Sequence, residues 1–360
     1  MLIYSFTFLS LITVSLFNLD SKIKFNQLLI FFVLFFVLMM LGLRLGVGAD
    51  YYSYERIFLA IGDTSKYGFF IYSLSESTPV ETGFALLMSF AKTLTDSYEV
   101  FVFIFALISV IPKYYIFKRL SPFIAVSFLI YFSDEWFWKD LSGARASFSA
   151  ALLLLSVLFV KERQPFRFVL TIMFATWFHS FSIIALPLYW VIYFNSTWFM
   201  SLFLLFSTLI SLRGGVGLYL PEIATSLGFD ENTRLIKYAN SEYVGGGSFF
   251  RGTNFIHVFV CGLMLFFYKR LCNKWRFNDV LIPMYVYGSA AMFLFVDYGI
   301  VWGRFREMIC VPAAAAAIPS FILLFRSNQR IVPYGVILAY CCLWFYLMLQ
   351  SRAPYNSLLH

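Results

Sequence analysis

The chain has 360 residues; 61% are hydrophobic, 13% are charged, and 27 Lys and Arg stand against 19 Asp and Glu. Its mean hydropathy of +0.79 means more apolar surface than a water-soluble fold of this length can bury. Its 46 Phe and five Cys exclude disordered and disulfide-scaffold classes, and the net charge of +8 sits in short basic clusters between apolar runs, the pattern of cytoplasmic membrane loops rather than of a nucleic-acid face.

The reading is therefore an all-α, polytopic integral membrane protein forming a single membrane domain over residues 1–360. About 20 apolar residues cross the roughly 30 Å of hydrocarbon. Runs of that kind are Leu2–Leu19, Phe25–Leu43, Tyr98–Phe117, Pro122–Trp138, Gly143–Val160, Phe168–Phe194, Trp198–Leu212, Val216–Gly228, Asn254–Tyr268, Val280–Val296, Arg304–Phe325 and Ile331–Leu349. That predicts about twelve transmembrane helices, in a range of roughly 10–14. Met1 to Leu19 lacks a charged n-region and reads as a retained helix. Phe168–Phe194 is too long for one upright helix, so it is tilted or broken near His179.

Lys22/Lys24, Lys113/Lys118/Arg119, Lys161/Arg163/Arg167, Lys269/Arg270/Lys274/Arg276 and Arg326/Arg330 form the positive loops. All five face the cytoplasm if both termini lie outside and Glu81–Leu94 does not cross. Two polar stretches, about residues 44–97 and 229–253, then face outward, the second containing Gly245-Gly246-Gly247.

Phosphate-loop, dinucleotide, zinc-protease and serine-elbow motifs are absent, and the five cysteines form no CxxC pair. No metal site is expected. Function is sought instead in the polar residues that lipid makes expensive. Arg44 and Asp50 bracket two glycines, and Tyr51 and Tyr54 follow at helical spacing; this is either an anion-binding turn or an interfacial anchor. Arg145 opens an otherwise uncharged span, where such a charge costs about 2.5–3.5 kcal/mol at midspan. It suits a cavity or an ion pair with Asp140 or Asp134. His179, taken as the one histidine deep in an apolar run, is a general base or a packed residue. Glu81 opens a short helix and either complements its N-terminus or takes part in chemistry. Asp297, Arg304, Arg306 and Glu307 gather at one helix junction, with Asp297–Arg304 and Arg306–Glu307 as structural pairs in the plainer reading. Arg234, Lys237 and Arg251 add positive charge. Convergence of these arginines on the outer side suits an anionic ligand such as a pyrophosphate.

The ordered set Arg44-x5-Asp50-Tyr51-x2-Tyr54-x3-Phe58, Glu81-x-Gly83-Phe84, Arg145, Phe178-His179-Ser180 and Gly303-Arg304 resembles the EpsG-like branch of Wzy-type polysaccharide polymerases, over about residues 40–320. Ala146 departs from it, since a glutamine often follows the arginine there. The resemblance implies a multi-pass protein of the bacterial inner membrane that joins undecaprenyl-pyrophosphate-linked repeat units at the periplasmic face into O-antigen, capsule or exopolysaccharide. It implies Arg44, Arg145 and Arg304 as pyrophosphate clamps, supplemented by Arg234 and Arg251. Asp50, His179 or Glu81 would be the base, and Tyr51, Tyr54 and Tyr238 would stack on sugars. No cofactor is implied. Donor and acceptor lipids are the partners, with a chain-length regulator admitted and no nucleic acid. Competing readings are an O-antigen ligase, a membrane acyltransferase using His179, and a lipid-linked oligosaccharide flippase.

Overall fold

A computed structural model describes residues 2–19, 26–62, 80–219, 222, 225–226, 248–350 and 354–358. Arg234, Tyr238, the triple glycine and Lys22/Lys24 lie outside the described residues, as does part of the expected Val216–Gly228 span. The described chain is largely helical and includes an isolated antiparallel bridge between Arg44 and Ser357. It divides into two compact units, Met1–Leu186 with Ala315–His360, and Pro187–Ala314.

In the first unit α1 (Leu2–Asn18) and α2 (Asn26–Gly42) are followed by α3 (Tyr51–Ala60), α4 (Thr82–Leu94), α5 (Tyr98–Leu120), α6 (Ile124–Ser133), α7 (Glu135–Leu141), α8 (Ala144–Lys161) and α9 (Pro165–Phe178). The second unit holds α10 (Thr197–Leu212), α11 (Gly252–Phe266), α12 (Tyr268–Lys274), α13 (Asn278–Leu294) and α14 (Gly299–Phe305). A π-helical turn (Arg306–Cys310) and α15 (Val311–Ala317) come next, and α16 (Ile331–Gln350) returns to the first unit.

Four described helical stretches are long and apolar enough to cross a membrane: Tyr98–Leu120, Ala144–Lys161, Gly299–Leu324 and Ser327–Gln350. A fifth joins them if α11 and α12, bent by 71°, count as one span. Shorter apolar helices accompany them, and many of their outward side chains are large and apolar, as at Phe31, Phe32, Leu170, Met173, Leu205 and Leu209. Water would not tolerate such faces, whereas hydrocarbon demands them. The protein is membrane-embedded.

Two expected spans are broken. Pro122–Trp138 divides at Asp134, whose carboxylate accepts the Glu135 N–H at 2.7 Å and caps α7. The 10-residue α6 rises only about 15 Å, half the hydrocarbon thickness. Phe168–Phe194 breaks at His179, where the backbone turns extended (φ −150°, ψ 109°) before a 3-10 helix, Ser180–Tyr193. Glu81–Leu94 holds one 13-residue helix, α4 (Thr82–Leu94), also shorter than a span.

Lys113 is not the loop cation that its neighbours Lys118 and Arg119 suggested. It is fully buried within α5, its Nζ 2.9 Å from both Asp140 oxygens and 2.6 Å from Ser109 Oγ. Ser109 and Tyr131 each donate to the same carboxylate at 2.5 Å, so the α7 acid is satisfied entirely from α5 and α6. Removing one partner of such a pair strands the other charge. Lys113→Ala is therefore expected to cost about 3–5 kcal/mol, read as denaturant unfolding in detergent. Arg119→Ala, which breaks an exposed pair with Glu162 at 3.9 Å, should change stability by at most about 1 kcal/mol.

Candidate functional site

Residues 50, 54, 81, 145, 179 and 180 meet in the first unit. Helix α3 buries Tyr51, Tyr54 and Phe58, spaced for one helical face, against Phe84, Tyr98 and Phe101. Lys92 of α4 closes the far end of α3 by donating to the Phe58 and Leu59 carbonyls at 2.9 Å each. Gly83 allows α4 to approach α9, since a Cβ there would lie 2.7 Å from the Trp177 carbonyl oxygen. That contact brings Glu81, just before α4, to the break after α9. Ser149 of α8 donates to the Ala175 carbonyl at 3.0 Å and fixes the start of α8 beside the same break.

Arg145 is the hub. Its Nη1 binds Glu81 Oε2, and its Nε donates to Tyr54 Oη at 3.0 Å. The guanidinium lies over the rings of Tyr54 (5.2 Å) and Phe84 (5.7 Å). Its Nη2 makes no hydrogen bond among the described residues. Tyr54 passes the chain on, donating to Asp50 Oδ2 at 3.1 Å. Burial, set against the nearby Arg145, pushes the Tyr54 hydroxyl up to about 12, so it stays a protonated donor. Tyr54 is the single hydrogen-bond partner of the Asp50 side chain among the described residues.

On the other side, Glu81 Oε1 accepts from the Ser180 N–H at 3.2 Å and from Ser180 Oγ at 3.1 Å, with His179 Nδ1 3.9 Å away. Burial alone would raise the Glu81 carboxyl, but Arg145, His179 and the Ser180 N–H outweigh it and hold the group below its ordinary range. His179 Nδ1 accepts the Phe181 N–H at 3.3 Å, which in the neutral ring leaves the hydrogen on Nε2. Among the described residues no group of three or more His, Cys, Asp and Glu is placed to hold a metal ion.

Other expected site residues lie elsewhere. Arg44 is buried rather than turned outward, its Nη1 donating to the Leu41 and Asp140 carbonyls at 3.1 and 3.0 Å. The glycine turn after it packs on α7: Gly48 has φ +110°, and a Cβ there would meet the Leu141 oxygen at 1.8 Å. Tyr51 and Tyr54 are packed in α3's aromatic cluster rather than presented as open platforms, whereas Tyr52 is exposed. In the second unit Arg304 pairs with Glu307 at 3.1 Å and not with Asp297, which accepts the Gly217 N–H at 2.8 Å. The exposed Arg251 guanidinium stacks over Trp302 at 5.5 Å. Arg145 likewise pairs with neither Asp140 nor Asp134. His179 is not alone in apolar surroundings, because His257 is buried in α11, its Nδ1 2.8 Å from Tyr285 Oη. Its place in the apolar run Asn254–Tyr268 was the signal available for it.

The Glu81 tie has a pH signature. Its folded value lies below the ordinary 4.5, so its stabilisation is complete above that value and is lost as pH falls through the lowered one. The melting-temperature advantage of wild type over Glu81→Gln should shrink between about pH 6 and pH 3; a constant difference would mean the carboxylate is not tied.

A search of curated proteins and a search of solved structures give no match. The family model described as the EpsG family matches residues 27–359, nearly the whole sequence. Of the ordered set read from the sequence, Asp50, Tyr54, Glu81, Gly83, Arg145, His179 and Ser180 meet in the fold while Arg44 and Arg304 lie elsewhere; on the family match, the chain belongs to the EpsG family.

Proposed function

We propose that the protein is a polysaccharide polymerase that transfers a growing glycan from a polyprenyl-pyrophosphate carrier to a lipid-linked repeat unit. The carrier would be undecaprenyl pyrophosphate and the site would face the periplasm. One observation carries the reading: three ionisable residues far apart in sequence, Asp50, Glu81 and Arg145, are joined through Tyr54 into one hydrogen-bonded chain that ends on Ser180, with His179 3.9 Å from Glu81. A structural ion pair needs two of them; transfer from a pyrophosphate needs an acid–base group and a fixed cation.

The acceptor hydroxyl attacks the anomeric carbon, the carbon–oxygen bond to phosphate breaks, and the hydroxyl proton must leave. Asp50 is the base in this scheme, because its carboxylate keeps acceptor capacity beyond the Tyr54 bond. Tyr54, held neutral, orients that carboxylate. Arg145 stabilises the charge that builds on the departing pyrophosphate, its unengaged Nη2 being the available donor. Glu81, held ionised by Arg145, is a poor base. The Nε2 hydrogen of His179 suits it to donate to an anion rather than to abstract a proton. The scheme rests on residues of the first unit.

The test is a gel of surface polysaccharide from cells lacking the protein, complemented with variants whose membrane level matches wild type. Asp50→Asn should slow polymerisation by about 10²–10⁴-fold and Arg145→Ala by about 10²–10³-fold, each collapsing the ladder toward a single repeat. Wild-type chain lengths from both would sink the reading.

A further inference from the structure

The groups that hold Glu81 form a seat for a tetrahedral anion. Arg145 Nη1, the Ser180 N–H and Ser180 Oγ converge on its two carboxylate oxygens, with the His179 ring beside them. A guanidinium, a backbone N–H at the start of a helix and a hydroxyl are the donor set that also binds phosphate. The carboxylate therefore occupies positions that two phosphate oxygens would take.

We propose that Glu81 is an internal stand-in for phosphate, which the terminal phosphate of a prenyl pyrophosphate displaces from Arg145 and Ser180. The proposal rests on the polymerase reading above and adds to it Ser180 as a phosphate ligand and Glu81 as a competitor rather than a base.

Glu81 has somewhere to go. It is the residue before α4, yet its side chain makes no capping bond to that helix. Rotated off Arg145, the carboxylate would stay beside the α4 N-terminus, whose unpaired N–H groups and dipole favour negative charge. The cluster thus has two electrostatically satisfied arrangements, one with Glu81 on Arg145 and one with phosphate on Arg145 and Glu81 over α4. Such an arrangement keeps Arg145 compensated while no lipid is bound, and it makes the entry of one anion require the exit of another.

The measurement is binding of farnesyl pyrophosphate, and separately of inorganic pyrophosphate, to the purified full chain in detergent. With the competitor neutralised, Glu81→Gln should bind both probes about 10- to 100-fold more tightly than wild type, the worth of one charge-assisted contact. In an Arg145→Ala background the gain should vanish. Glu81→Asp retains the charge but withdraws it by one methylene; it should show a smaller gain, and it serves if the glutamine variant does not fold. Unchanged or weaker binding by these variants overturns the proposal, as does a gain confined to farnesyl pyrophosphate, since the prenyl chain and not the phosphate would then meet Glu81. These outcomes leave the polymerase reading standing so long as Arg145→Ala still loses polymer. Wild-type chain lengths in that variant would instead remove the reading itself.

Discussion

A guanidinium at the mouth of an apolar helix must be compensated by groups that come to it, because lipid offers none. Arg145 sets that requirement here, and much of the first unit can be understood as meeting it. Glu81 arrives on α4 because Gly83 lets that helix touch α9. Ser180 arrives because α9 stops at an extended His179. Tyr54 arrives on a three-turn helix whose buried face packs on Tyr98 and Phe101 and whose far end is closed by Lys92. No one of these elements is long enough to place its side chain unaided; α4 is located by its backbone contact with α9, and α3 by its ring contacts and by Lys92 at its far end.

The unit also carries more deeply buried cations, and the contrast explains why burial does not by itself mark a site. Lys113 is as deep as any residue in the protein, but Asp140, Ser109 and Tyr131 leave it no unused geometry. That pair also steadies α7, whose last carbonyls receive Arg44 and the Gly48 turn. Arg44 thus supports the segment leading to Asp50 from below, while Arg145 keeps an unused N–H group and partial exposure. Two arginines that look alike in sequence differ in what they have left to offer.

The membrane class and the identity of Asp50, Tyr54, Glu81, Arg145 and His179 were legible from residue chemistry, since charges and a histidine stand out against so apolar a background. Partnerships were not. Asp140 lies five positions from Arg145, yet the break at Ser142–Gly143 separates their helices and Asp140 turns to α5. Lys113 resembled a loop residue because it lies near Lys118 and Arg119, but α5 runs 23 residues and ends seven positions beyond it. Hydropathy also merged α6 with α7, since a window average does not register that Asp134 caps a new helix. Pairing depends on helix breaks and side-chain direction, which a count of charges does not contain.

Backbone pairing between residues 43–45 and 356–358 has a consequence in time. Leu358 N–H reaches the Leu43 carbonyl at 3.0 Å, and Leu45 N–H reaches Asn356 at 3.1 Å, five residues ahead of Asp50. A ribosome makes the first partner about three hundred residues before the second, at roughly 5–20 residues per second. The segment leading into Asp50 therefore waits for tens of seconds with its N–H and C=O groups unmatched, while the helices around it insert. Assembly of this corner therefore follows synthesis of α1 to α16, so a nascent chain halted before Asn356 would carry all of those helices and still lack the pairing that leads into Asp50.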